Sequence, residues 1–150
     1  MVLTDSAEAV ANYIYLKLLD PTNMTNLGLK AAWYGDQSLL PTTPAVCVAP
    51  GNKKREFQGA TFRTLNEIET YVWVYYGKIQ DVQQNLHSAT TLADNIETLV
   101  HSDLTLGGNV ISVLCTTNEP GMINKSGVWM MGARLTFLST SKTTLPQQVV

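Results

Sequence analysis

The ten residues from Glu67 to Tyr76 constrain the fold more than any other part of the chain. They read Glu-Ile-Glu-Thr-Tyr-Val-Trp-Val-Tyr-Tyr, a dense run of aromatic and β-branched side chains that favours a strand. Because side chains alternate across a strand, one face carries Ile68, Thr70, Val72, Val74 and Tyr76. The opposite face carries Glu67, Glu69, Tyr71, Trp73 and Tyr75. We expect the first face to pack on the core and the second to meet another surface.

A long helix is predicted after this strand, which Gly77 and Lys78 interrupt. Asp81 is expected to cap the helix, and Gln84, three residues later, completes a capping-box pattern. Apolar residues then recur at helical spacing: Val82, Leu86, Ala89, Ala93, Ile96 and Val100. A helix with such a stripe is expected to lie on the sheet.

The remaining elements complete an α+β pattern. A first helix is predicted from a cap at Asp5 to Pro21, a short buried strand over 45–49, and strands over 109–117 and 127–140. Residues 29–35 give no clear prediction. The order helix, strand, strand, helix, strand, strand predicts a single domain over 1–150. Its sheet is expected to be four-stranded and mostly antiparallel, with the helices packed on one face.

The densest charge in the chain lies in residues 51–59, between Pro50 and the turn residue Gly59. This segment, called the arm below, contains Lys53, Lys54, Arg55, Glu56 and Phe57. We expect the arm to be an exposed loop, part of a long hairpin, that binds a partner. Residues 141–150 are expected to form a mobile tail unless a partner orders them.

Composition narrows the possible functions. Charged residues are 15% of the chain, whereas about 25% is typical of soluble domains. Either part of the surface is hidden in an assembly, or a monomer is covered by Thr, Ser, Asn and Gln. The net charge of −2 gives no sign of a nucleic-acid binder. No apolar run is long enough to predict a membrane span, and the first residues lack a signal-peptide pattern.

The two cysteines, Cys47 and Cys115, lie in apolar strand-like runs. This setting favours buried free thiols in a reducing compartment, with a disulfide as the less favoured alternative.

The residues that usually carry chemistry do not form a recognised catalytic pattern. Phosphate-binding glycine motifs and metal-ligand spacings are absent from the sequence. His101, Ser102 and Asp103 are the residue types of a catalytic triad, but neighbours in sequence do not have triad geometry. Glu67 and Glu69 are better read as an acidic surface stripe than as a catalytic pair. We therefore expect no catalytic, cofactor or metal site, and no enzyme activity.

Two segments resemble a known family. Glu67-Ile-Glu-Thr-Tyr-Val-Trp-Val, followed by a helix and the run from Asp94 through Leu-Thr-Leu-Gly-Gly108 to Val110, is similar to the tail terminator, or tail completion, proteins of long-tailed bacteriophages. In that family such a strand is followed by a helix, a loop of the type Asp-x-x-Leu-Gly-Gly-x-Val and two strands. The similarity covers roughly 45–140, whereas the region up to Pro44 is not distinctive.

The resemblance implies a structural role in a virion. Family members form a ring, usually a hexamer, on the head-proximal end of the tail tube. The ring ends polymerisation of the tail tube protein, binds the head connector or neck proteins, and lets DNA pass through its lumen without specific binding. On this reading Glu67 and Glu69 line a lumen that repels DNA, and the arm contacts a neighbouring ring. The protein would be assembled in the host cytoplasm and reside at the tail neck, without a membrane.

Two other classes of function stay open. One is a different virion component, such as a head–tail connector, a neck protein or a minor tail protein. The other is a small enzyme or ligand-binding module that uses the face of Tyr71, Trp73 and Tyr75.

Overall fold

A computed structural model describes residues 3–37, 40, 42–59, 62–78 and 82–144, with the backbone alone for Lys78 and Val82. Its elements are α1 (Ala7–Leu19), α2 (Pro21–Leu27), β1 (Ala31–Tyr34), β2 (Ala45–Phe57), β3 (Arg63–Lys78), α3 (Val82–His101), β4 (Ser112–Lys125) and β5 (Val128–Thr144). Asp81, the predicted cap of α3, lies outside the described residues.

The five strands form one mixed sheet in the order β1-β2-β3-β5-β4. β1 runs parallel to β2, and the other three pairs are antiparallel. The expected four-stranded, mostly antiparallel sheet is therefore wrong. The missing strand is β1, whose four residues are too few to show an alternating pattern and take strand geometry by pairing with Ala45–Val48.

The start of the chain also differs from the prediction. Ser6, rather than Asp5, caps α1, and its hydroxyl accepts a hydrogen bond from the Ala9 amide at 3.2 Å. Pro21 begins a second helix, because proline suits the first helical position and Asp20 caps the turn. Pro21, which was predicted to end the first helix, is therefore also the first residue of α2.

The core lies between one face of the sheet and the helices α1 and α3. Ile68, Thr70, Val72 and Val74 of β3 are fully buried, which confirms the predicted core face of this strand. Ile14 and Leu18 of α1 and Ile96 of α3 pack into the same cluster as Leu135 and Phe137 of β5. We call the opposite side of the sheet the open face.

The arm is strand rather than loop over most of its length. β2 continues through Phe57 and pairs with Thr64–Ile68 after a bulge between Pro50 and Lys53. The predicted hairpin is thus present, but its charged residues belong to a ladder. At the other end of the chain, residues 141–144, which were expected to be mobile, are the last residues of β5, and Ser141 is buried. Residues 145–150 lie outside the described part.

Candidate interaction surfaces on the open face and the sheet edges

The open face of the sheet includes the side of β3 that we predicted would contact another surface. Tyr71 donates a hydrogen bond to Glu69 at 2.8 Å, and this carboxylate is the main cause of a raised Tyr71 pKa. The ring of Tyr71 lies against the backbone of Gly51, where a Cβ atom would come within 2.9 Å of it. Glycine at the start of the arm therefore lets an aromatic ring lie flat on the open face.

Trp73 anchors a shallow depression of about 340 Å³ in the middle of this face. The Arg134 guanidinium lies 5.5 Å from the Trp73 ring centroid and donates to Glu119 at 3.1 Å. Threonines of β4 and β5 supply much of the remaining wall: Thr116, Thr117 and Thr136. The depression thus combines one aromatic ring with an exposed ion pair, an arrangement that suits a protein contact or a flat ligand.

Tyr75 does not share the exposure of its neighbours on β3. Only 2% of it is accessible, and it packs against Cys47 and Met130 in a second, smaller cluster. Its hydroxyl donates to Asp36 at 3.2 Å, and Lys125 forms an ion pair with the same carboxylate while lying 5.3 Å from the Tyr75 ring centroid. Burial, together with the negative charge of Asp36, raises the Tyr75 pKa.

This cluster removes Tyr75 from the predicted interface and adds two residues that the sequence analysis missed. Asp36 and Lys125 are 89 positions apart, and neither stands in a pattern that points to the other. The Asp36–Lys125 ion pair joins the end of β1 to the tip of the β4–β5 hairpin and so holds that tip in position.

The open face is balanced in charge rather than acidic. Glu67 lies opposite Lys54, and Leu65 lies opposite both Glu56 and Lys142. Besides the Asp36–Lys125 pair, the strand registers place four cations and four carboxylates on this face among the described residues: Lys54, Arg63, Arg134, Lys142, Glu56, Glu67, Glu69 and Glu119. The electrostatic argument for a DNA-repelling lumen at Glu67 and Glu69 is therefore not supported.

The arm divides its charges between the two sides of the sheet. The register puts Lys53, Arg55 and Phe57 on the helix side and Lys54 and Glu56 on the open side. Arg55 forms an ion pair with Asp5, just before α1, in which both side chains stay more than a third exposed. Phe57 is 69% exposed at the end of the arm. The outer edge of β2 beyond Val48 has no strand beside it in the described part of the chain.

β4 forms the opposite edge of the sheet along its whole length. Two carboxylates of α3, three residues apart, contact it. Asp94 accepts a hydrogen bond from the Asn118 side chain at 3.0 Å, and Glu97 lies beside the Cys115 thiol, which donates to the Thr117 carbonyl at 3.2 Å. Burial and this carboxylate raise the Cys115 pKa to about 12, so the thiol is not poised as a nucleophile.

Large apolar side chains are exposed at both ends of the β4 edge. Leu114 is 59% exposed near its start, beside Ile111. Met122 and Trp129 are exposed at the tip of the β4–β5 hairpin, at 60% and 55%. Together with Asp94, Glu97 and Glu119, these residues make the β4 edge both apolar and acidic.

The three residues of triad type have separate partners. The imidazole Nε2 of His101 accepts the Cys115 amide at 3.0 Å, while Ser102 donates to the Leu99 carbonyl. Asp103 accepts from the Tyr13 hydroxyl at 2.7 Å, from the Gly107 amide at 2.8 Å and from Thr105. The Tyr13 hydrogen bond is the main reason that the Asp103 pKa is lowered. These contacts hold the loop after α3 in place and do not form a triad.

Both cysteines are free, as the preferred reading of the sequence expected, but Cys115 is half-buried rather than buried. Cys47 is fully buried, and burial raises its pKa. Within the described ranges, no three His, Cys, Asp or Glu side chains lie close enough together to hold a metal ion.

Comparison of the chain with models of known protein families and with curated proteins found no match. None of the described helices combines the length and the apolar character needed to cross a bilayer. The described residues form a domain with two chemically different, exposed sheet edges joined by an open face.

Proposed function

We propose that the chain is a structural subunit of a tailed bacteriophage, a tail terminator that forms a ring on the head-proximal end of the tail tube. The ring ends polymerisation of the tube protein and joins the tail to the head connector or neck. The resemblance of Glu67–Val74 and Asp94–Val110 to that family names the class. The same resemblance gives the expected setting, a virion neck assembled in the host cytoplasm.

One observation carries the proposal: the arm and the β4 edge lie on opposite edges of one sheet and differ in chemistry. The arm is basic with an exposed Phe57, and the β4 edge is acidic with exposed Leu114 and Trp129. Two different surfaces on opposite sides of a subunit favour head-to-tail contacts, which generate closed rings when the rotation closes. A twofold dimer would instead need one self-complementary surface.

The low content of charged residues, 15% of the chain, also supports a subunit of an assembly. Both sheet edges carry exposed apolar residues, which an isolated monomer would leave in contact with water. Surfaces of this kind belong to proteins that function in an assembly, and a ring places both edges of every subunit against a neighbour.

A head–tail connector, a neck protein or a minor tail protein would use the same two edges and would differ in position within the particle. A ligand-binding module is the second candidate, and the depression at Trp73 and Arg134 favours it. Saturable binding of a small planar compound, lost in Trp73→Ala, would support that candidate.

Tail length after deletion of the gene tests the proposed function. Without a terminator the tube continues to polymerise, so we expect lysates with free tubes of variable, increased length and heads without tails. Supplying the protein in trans should restore a uniform length. Tails of normal length in the deletion, attached to heads, would contradict a terminator.

A further inference from the structure

We infer that the arm of one copy pairs with the β4 edge of the next copy, so that Lys53 and Lys54 face the carboxylates Asp94 and Glu119. This inference rests on the proposed ring and names the contact that closes it. The occupant of each edge is a second copy of this chain.

The first argument is the backbone. Residues 53–57 of the arm are paired with β3 on one side only, and β4 is paired with β5 on one side only, within the described residues. Each free edge is a row of amide and carbonyl groups that can extend a sheet, although in β4 the Cys115 amide already donates to His101. Pro120 on β4 and the bulge after Pro50 interrupt these rows, so pairing is restricted to the segments between them and the strand ends.

The second argument is charge. The arm holds three cations and one carboxylate, a formal charge of +2, although Arg55 is shared with Asp5 and Lys54 lies opposite Glu67. The β4 edge holds three carboxylates, Asp94, Glu97 and Glu119, against the guanidinium of Arg134. Its formal charge is −2 when Lys125 at the hairpin tip, which is paired with Asp36, is left out. Opposite charges on the two edges steer an arm towards the β4 edge and disfavour arm-to-arm and edge-to-edge pairing.

The third argument is direction. β2 and β5 run one way in the sheet, and β3 and β4 run the other way. In a ring whose subunits are related by rotation about an axis along the strands, the next copy's β2 is therefore antiparallel to β4. With Lys54 opposite Glu119, antiparallel pairing puts both of these side chains on the open face and leaves Lys53 on the helix side, where Asp94 contacts β4. Opposite charges therefore meet on each side of the extended sheet.

Charge reversal tests the contact in the full-length protein, with sedimentation velocity over a concentration series as the measurement. Lys54→Glu on the arm or Glu119→Lys on the β4 edge should each raise the concentration needed for assembly by about tenfold or more, since each brings like charges together on the open face. Lys54→Glu combined with Glu119→Lys should recover most of that loss. Lys30→Glu reverses an exposed charge beside Pro44, at the opposite end of β2 from the arm, and should assemble like the natural protein.

Equal thermal midpoints for these variants would show that assembly, rather than folding, has changed. Assembly of both single variants at the natural concentration, or a combined variant no better than either single one, would overturn the inference. So would a natural chain that stays monomeric throughout the series. The proposed function is judged separately by tail length, so it can stand when this contact is wrong.

Discussion

At the scale of single residues, Gly132 shows how closely the central strands approach. It lies opposite Tyr75 on β3, beside the bulge between Tyr75 and Gly77. A Cβ atom at Gly132 would overlap the carbonyl oxygen of Val74. The obstacle is backbone rather than a flexible side chain, so the strands themselves would have to separate.

We therefore expect Gly132→Ala to lower the free energy of unfolding by about 1–3 kcal/mol, the typical range of overpacked sites. Gly77→Ala is the matched control on the adjacent strand, because a Cβ there meets nothing within 4 Å. Urea denaturation of both variants measures the difference. Equal stabilities would show that the two strands are further apart than described.

Asp103 provides a second residue-scale prediction, through its hydrogen bond from Tyr13. Because its pKa is lowered in the folded state, the ionised form stabilises the fold above the unfolded pKa of about 3.9. This stabilisation is lost as the pH falls through the folded value. Asp103→Asn should thus cost about 1 kcal/mol at pH 7, and the difference from the natural chain should shrink towards pH 3.

Thermal or urea unfolding at several pH values measures this effect. Tyr13→Phe removes the donor of the same hydrogen bond, and the double variant should cost less than the sum of the two single ones. A difference between natural chain and Asp103→Asn that is independent of pH would contradict the assigned role of the carboxylate.

At the scale of elements, β3 has two faces with different tasks. The helix side is buried, and the open side carries the candidate contact residues Tyr71 and Trp73. Val72→Asp places an unpaired charge in the core and should cost several kcal/mol, enough to unfold a marginal domain. Thr117→Asp on exposed β4 is the control and should change the melting temperature little. Circular dichroism distinguishes the two, and an unchanged melting temperature for Val72→Asp would mean that the faces are reversed.

The same scale shows what the sequence could predict. The faces of β3 and the buried residues Ala89, Ala93, Ile96 and Val100 of α3 follow from long periodic runs with one buried side. Leu86, predicted for the same stripe of α3, is 38% exposed. The distal half of β2 could not be predicted, because its side chains are exposed on both sides and only pairing with β3 makes it a strand. β1 could not be predicted because its four residues are too few to show a periodic pattern. α2 could not be predicted because it depends on a capping contact at Asp20 rather than on periodicity.

The candidate site was predictable only in part, for a similar reason. Alternation placed Glu69, Tyr71 and Trp73 together correctly, but it could not show that Tyr75 is covered by Asp36 and Lys125. Nor could it show that Lys54 and Arg134 offset the carboxylates of the open face, since cross-strand neighbours are set by register.

At the scale of the whole molecule, the two sheet edges determine how copies can meet. One edge is basic and the other acidic, with exposed apolar residues on each, so a subunit has a different partner surface on either side. In the proposed assembly such a subunit would contact its neighbours head to tail, and the tilt between neighbours would decide whether the chain of subunits closes. A closed ring on a tube end is the form of this association that the proposed terminator requires.

Electron cryomicroscopy of the tailed particle tests the central claim most directly. The account predicts a closed ring of this chain between the tail tube and the head connector, in which the arm of each copy lies against the β4 edge of its neighbour. A ring in that position with other edges in contact would contradict the inferred pairing alone. Placement of the chain elsewhere in the particle, or as isolated copies, would contradict the proposed function itself.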